Sequence, residues 1–178
     1  MSAMTPFDLL LDYERRSLAH EAGMPEQLEA PGLWRGIGFR LGTAMLVSSI
    51  AEINEILMMP TVSPVPGTKA WLLGIANVRG NLISVVHLRG FLEGEPFKAT
   101  ETTRVLAIRH AGALVGLVVD EVLGQRSFVD EQKHPPGVYL DSPVGRFIEA
   151  EYQAGQTRWG VFSMGQLLRV PEFLQAAA

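Results

Sequence analysis

The sequence predicts an all-β fold with minor helices, built as a pair of small barrels. Two observations point there. From about Trp34 onward the chain is cut into short apolar runs by glycine and proline, which number 18 and 11 in the whole chain; short strands with this punctuation mark small barrels. A pattern of strand, glycine turn and apolar strand then occurs twice. It is followed first by Ile53-Asn54-Glu55-Ile56-Leu57 and later by Val119-Asp120-Glu121-Val122-Leu123. A hairpin and an apolar tail close each unit, so each spans roughly 65 residues, small-barrel size. The repeat is inexact, the gap from Gly42 to Glu55 being four residues longer than that from Gly112 to Glu121, and internal duplication stays open on this ground alone.

The elements follow in order. Thr5-Pro6-Phe7-Asp8 supplies a capping hydroxyl, a proline at the first helical position and a carboxylate three residues after the cap. Phe7, Leu11 and Leu18, with Leu10 alongside, share one helical face until Gly23 and Pro25 end the pattern. That face either packs on the body of the protein or grips a partner. Residues 25–33 read as a proline-containing connector, so residues 1–33 form an arm ahead of a domain over 34–175. Within it the two barrels are expected at roughly 34–100 and 101–175.

In the first unit Gly36–Leu41 alternates as a half-buried strand and Gly42 turns the chain. Met45–Leu57 is a long apolar stretch, and Lys69–Leu73 has room for one helical turn. Gly74–Val78 and Leu82–Leu88 read as a hairpin across Arg79-Gly80-Asn81. In the second unit Val105–Arg109 and Leu114–Val119 flank His110-Ala111-Gly112. Val122–Val129 is a strand with a bulge at Gly124. Arg146–Tyr152 and Arg158–Phe162 form a hairpin, and Ser163 caps a short helix ended by Pro171.

Composition excludes several functions. With no cysteine, disulfides, thiolate metal sites and a cysteine nucleophile are out. The four histidines, His20, His87, His110 and His134, show no ligand spacing, and no phosphate loop, dinucleotide fingerprint or nucleophile elbow is present. We therefore expect no catalytic residues, no cofactor and no metal. Glu149 and Glu151 alternate on a strand and read as a solvated face rather than a catalytic pair. A formal net charge of −4 with interspersed signs gives no reason to expect nucleic acid. No signal sequence and no uncharged apolar run of membrane-spanning length is visible, which makes the cytoplasm the expected compartment.

Two charges stand out by their company. Glu55 lies in Ile53–Leu57 and Arg79 in Ala76–Gly80, both strongly apolar. Unpaired buried charge is costly, so we expect Glu55 and Arg79 to meet as an ion pair across adjacent strands. The alternative is that each faces water.

The hairpin Gly74–Arg89, preceded by Pro66 and Trp71, resembles the signature block of CheW-like domains. Phe39–Gly42, Ile53–Leu57 and Leu114–Val122 are similar to the family's other blocks, in the same order, and the likeness spans about 36–170. The resemblance implies two five-stranded, SH3-like barrels and a non-catalytic adaptor between a chemoreceptor's cytoplasmic tip and a CheA-type histidine kinase. The arm ending in Trp34–Gly42 looks most like the adaptors of type IV pilus (twitching motility) chemosensory systems. The resemblance further implies that Glu55 and Arg79 brace the receptor-facing surface, that Ile53 and Val105 belong to the receptor-binding groove, and that recruitment to receptor arrays needs no membrane insertion. His87 and Ser84 depart from the family's usual aspartate and proline, and Arg104 is charged where an apolar residue is common. A flagellar chemotaxis adaptor, a small-ligand-binding barrel or unrecognised hydrolase, and a CheV-like or coupling fragment cut from a larger kinase are the alternatives.

Overall fold

The computed structural model describes residues 32–176; the expected helical arm over residues 5–22 lies outside them. Eleven strands follow in order: β1 (Leu33–Leu41), β2 (Ala44–Ser49), β3 (Glu55–Met58), β4 (Leu72–Val78), β5 (Asn81–His87), β6 (Arg104–His110), β7 (Ala113–Val119), β8 (Glu121–Val129), β9 (Lys133–His134), β10 (Ile148–Ala154) and β11 (Thr157–Phe162). Three short helices join them: α1 (Leu88–Glu93), α2 (Met164–Leu167) and α3 (Pro171–Leu174). Ser163 caps α2 by accepting the Gln166 amide at 3.3 Å. Pro171 opens α3 at its first turn rather than ending α2, because its missing N–H is one that a first turn leaves unpaired anyway. Lys69–Leu73 forms a turn into β4, not a helical turn.

The strands form two sheets, one of order β3-β6-β7-β5-β4 and one of order β8-β1-β2-β11-β10-β9. The second has six strands instead of five, but the extra one, β9, is only two residues long. The expected boundary near residue 100 is not where the barrels divide. Each sheet takes strands from both sides of it: β3, β4 and β5 pair with β6 and β7, and β1 and β2 pair with β8 and β11. Hairpins announce themselves by a turn, whereas these longer-range pairings leave no local mark.

The two sheets nevertheless repeat one plan. If β1 to β5 are matched with β6, β7, β8, β10 and β11, the order β3-β6-β7-β5-β4 becomes β8-β1-β2-β11-β10. The parallel pair of each sheet, β5 with β7 and β11 with β2, falls in the same place. Each barrel therefore combines the first two strands of one repeat with the last three of the other.

Burial follows from this exchange. Ala76, Ile83, Val85, Val105 and Val118 fill the five-stranded barrel. Phe128, Tyr152, Trp159, Val47, Ala150 and Val161 fill the other, with the Phe128 and Tyr152 rings stacked 4.7 Å apart. A third and largest cluster is shared by both sheets. Phe39, Leu41, Leu46 and Phe162 meet Val86, Leu106, Ile108, Leu117 and Val119 in it. Strands β6 and β7 are thus buried on both faces, and read as unbroken apolar runs for that reason.

Asp120 ties one crossover down. Its carboxylate accepts the Gly42 amide at 2.6 Å and lies 3.6 Å from Arg89 Nη1, while its own amide donates to the Arg40 carbonyl. Gly124 sits at φ +80° where β8 slips register against β1, the expected bulge.

The β6–β7 hairpin turns on Ala111 and Gly112, both at positive φ (48° and 84°). That is the geometry of a type I′ turn, in which asparagine is far better tolerated than alanine. Ala111→Asn should raise the unfolding free energy by about 0.5–1 kcal/mol, read from urea denaturation midpoints.

Candidate functional site

The chain crosses from the six-stranded barrel to the five-stranded one through residues 50–54. Ser49 accepts the Ala51 amide and starts a single 3-10 turn over Ile50–Glu52. The Asn54 amide then donates to the Ala107 carbonyl, which delivers the chain to β3. Beside this crossover lies a groove of about 180 Å³ lined by Ala51, Glu52, Asn54, Arg109, Met164 and Leu168. Ile53 is half-buried between two of these residues, its side chain packed on the shared core.

Glu52 is the groove's most perturbed group. Its Oε1 accepts the Gly165 amide at 3.0 Å. Burial pushes its carboxyl above the usual carboxylate range and the charge of Glu149 adds to this, while the amides of Gly165, Ser49 and Met164 pull it back.

The structure brings Glu55 and Arg79 together, with Arg79 Nη2 2.6 Å from Glu55 Oε1. The setting is not the one expected. Glu55 opens β3 and Arg79 sits in the turn after β4, and those strands are the two ends of their sheet, not hydrogen-bonded neighbours. The pair bridges the sheet's ends. The Arg79 side chain is 77% exposed, so burial cost is not what pairs it; a surface ion pair of this kind contributes about 0–1 kcal/mol. Arg79 also holds φ at +51° beside Gly80, a conformation that costs an L-residue roughly 1–2 kcal/mol. Val78 pairs with Asn81, so the turn centre is Arg79-Gly80 and Asn81 opens β5.

Val105 cannot line a surface groove. It is wholly enclosed among Ile83, Val85 and Val118 in the five-stranded barrel, because alternation along β6 turns position 105 into the lumen. Arg104, its neighbour, faces outward and donates from Nη1 to the carbonyls of Glu101 and Thr103, both at 2.8 Å. Exposed apolar side chains that sequence reading passed over lie elsewhere: Ile56 and Met58 on β3, Ile75 and Leu82 on the β4–β5 hairpin, and Val138 and Leu140 on a loop. Their only sequence signal is an apolar residue on the outward phase of a strand or in a turn-rich segment.

Glu149 and Glu151 do not share a solvated face. A bulge between Ile148 and Ala150 breaks the alternation, leaving Glu149 exposed and Glu151 fully buried. Among the described residues, no group of three His, Cys, Asp or Glu could hold a metal ion, and no helix is long and apolar enough to cross a membrane. His87 is also buried, its ring 5.2 Å from that of Phe97. Desolvation lowers its pKa, Asp120 opposes this and Arg89 reinforces it.

Comparison with known proteins places this architecture. A family model for the CheW-like domain matches residues 35–178. Protein PilI of Pseudomonas aeruginosa is 39% identical over 176 residues, covering 97% of this chain and 97% of that one. A chemotaxis protein CheW of Helicobacter pylori is 29% identical over 110 residues, or 62% of this chain and 66% of the relative. Among solved structures, the scaffolding protein TtCheW from Thermoanaerobacter tengcongensis shares the fold, with a TM-score of 0.67 at 20% identity over 78% of this chain and 94% of that one.

The His87 environment makes stability depend on pH. Its folded value is held below the ordinary 6.5, so protonation favours the unfolded chain. Its contribution is intact above pH 6.5 and lost as pH falls through that value toward the lower folded one. Urea midpoints should therefore drop between about pH 7 and pH 5. In His87→Gln the drop should be smaller, since the carboxylates, Glu52 included, are common to both proteins.

Proposed function

The chain belongs to the CheW-like family, and from that premise we propose that it is a non-catalytic cytoplasmic adaptor joining a methyl-accepting chemoreceptor to a CheA-type histidine kinase in a type IV pilus chemosensory pathway. The observation that carries this reading is the likeness to Protein PilI along almost the whole of both chains. A flagellar system is the competing pathway; the CheW relatives match over a shorter stretch and at lower identity.

Receptor tips are helical hairpins, so docking is a helix-in-groove problem. Beside the groove at residues 50–54 lie Ile53, packed on the shared core, and Ile56 and Met58 on the adjoining edge strand, while Glu52 and Arg109 put opposite charges on its lining. The Glu55–Arg79 pair stands where β3 meets the β4–β5 turn and would hold that edge strand in place. Val105 would act from behind, by filling the barrel under β3. The kinase's regulatory domain would take barrel ends where apolar loop residues are exposed, and Val138 and Leu140, at 63% and 60% exposure, are of that kind.

The small-ligand alternative is weaker. Both barrels are filled by their own side chains, and a filled small barrel leaves no lumen for a ligand.

Ile53→Glu should weaken co-purification with a receptor-tip fragment by about tenfold or more while kinase binding persists; unchanged receptor binding would remove Ile53 from the interface. Arg79→Asn separates fold from function. It relieves a turn strain of about 1 kcal/mol and loses a surface pair worth about 0–1 kcal/mol. Its unfolding free energy should be no lower than the parent's, yet its receptor-tip affinity should fall.

A further inference from the structure

Glu52 carries a charge for which the free fold has no use. It closes the 3-10 turn over Ile50–Glu52, half-buried, and lines the groove beside the crossover. Among the described residues its carboxylate is held by backbone amides alone, that of Gly165 foremost, at 3.0 Å from Oε1. No described arginine, lysine or histidine lies within ion-pair distance of it, whereas Glu55, Glu93, Asp120, Glu121 and Glu151 all have a cation there. The one charge close enough to act on it is of its own sign. Glu149, on β10, repels it, with its Oε1 already taken by Gln166 Nε2 at 3.1 Å.

Burial and Glu149 both disfavour the ionised form, so the charge weakens the free chain rather than stabilising it. As an acceptor for the Gly165 amide, a neutral glutamine would serve as well. A cation entering the groove changes this. It meets a carboxylate already stripped of part of its water, where an opposite charge is worth more than on open surface. An acidic side chain in the same place meets repulsion from Glu52 and Glu149 together, so the site discriminates in both directions. Arg109, the cation on the same lining, is exposed on β6 and keeps its water, which screens its repulsion of an incoming cation.

We propose that Glu52 is a specificity-determining residue of the groove, whose carboxylate selects a receptor-tip helix that presents a lysine or arginine against the 50–54 crossover. The proposal rests on the adaptor reading and adds to it the charge that the docked helix must carry.

The test measures affinity for the helical-hairpin tip of a chemoreceptor from the same organism, at low and at physiological salt, with urea midpoints followed in parallel. Glu52→Gln should weaken tip binding by about tenfold at low salt and flatten its salt dependence, with a urea midpoint no lower than the parent's. Each lysine and arginine of the tip is then reversed to glutamate in turn. One reversal should weaken binding to the parent by about tenfold and restore binding to Glu52→Lys. Should Glu52→Lys fail to fold, the same cycle with Glu52→Gln reads the coupling, the reversal then costing the variant less affinity than it costs the parent. Parental tip affinity in Glu52→Gln overturns the proposal. So does a loss of affinity accompanied by a lower urea midpoint, the mark of a merely structural role, and so does a set of tip reversals none of which couples to position 52. A parent that binds no receptor tip would instead sink the adaptor reading, and the proposal with it.

Discussion

The shared core between the two sheets is the constraint on which the other features depend. Strands β6 and β7 send Val105 and Val118 into one barrel and Leu106, Ile108, Leu117 and Val119 toward the other. Each such large apolar side chain contributes about 1.5–3 kcal/mol on burial. A strand used on both faces cannot be assigned to one independent module. The exchange of strands between repeats has the same consequence, since neither barrel closes from one half of the chain. Both crossovers are thereby forced to the seam between sheets, one through residues 50–54 and one at Asp120. The groove lies at the first because the fold brings the crossover, the end of β6 and α2 to the same place.

Charge plays three different roles around this apolar frame. Asp120 is structural, binding the Gly42 amide in the β1–β2 turn and Arg89 of α1. The Glu55–Arg79 pair is a surface contact, too exposed to stabilise the fold by much. Yet Arg79 occupies a turn position that suits asparagine or glycine, at positive φ. A strained residue whose ion pair returns little stability is the pattern expected where a surface is shaped for a partner. Glu151 is the opposite case, a carboxylate deep enough to be costly and satisfied mainly by loop amides.

Local signals in the sequence were enough for the hairpins. Gly80, Gly112 and Gly155 all sit at positive φ in the turns between β4 and β5, β6 and β7, and β10 and β11, and Gly124 sits at its bulge. The repeat was legible too, through paired strand patterns and through Glu55 and Glu121, each of which pairs with an arginine, Arg79 and Arg40. Which repeat supplied which barrel was not legible, because the parallel pairings of β5 with β7 and β2 with β11 join residues far apart in the chain. The resemblance puts Val105 in a surface groove, whereas β6 is buried on both sides and turns that position into the lumen. Glu151 was misread because one bulge shifts the phase of every later residue, and nothing local to Glu149–Glu151 announces it.

A receptor groove and a kinase-facing loop on this frame would be joined by close-packed side chains with no hinge between them. The groove is walled by the crossover, the end of β6 and α2; the loop that carries Val138 and Leu140 is anchored through Tyr139 to β2 and β11, which carry Leu46 and Phe162 into the shared core. Close-packed interiors transmit displacement but do not deform continuously. Movement of a receptor helix in the groove would therefore reach the loop as a displacement of the whole body, not as a rearrangement within it. On the adaptor reading the chain acts as a rigid spacer that sets the register between receptor and kinase, and its specificity resides in the few exposed apolar residues at each end.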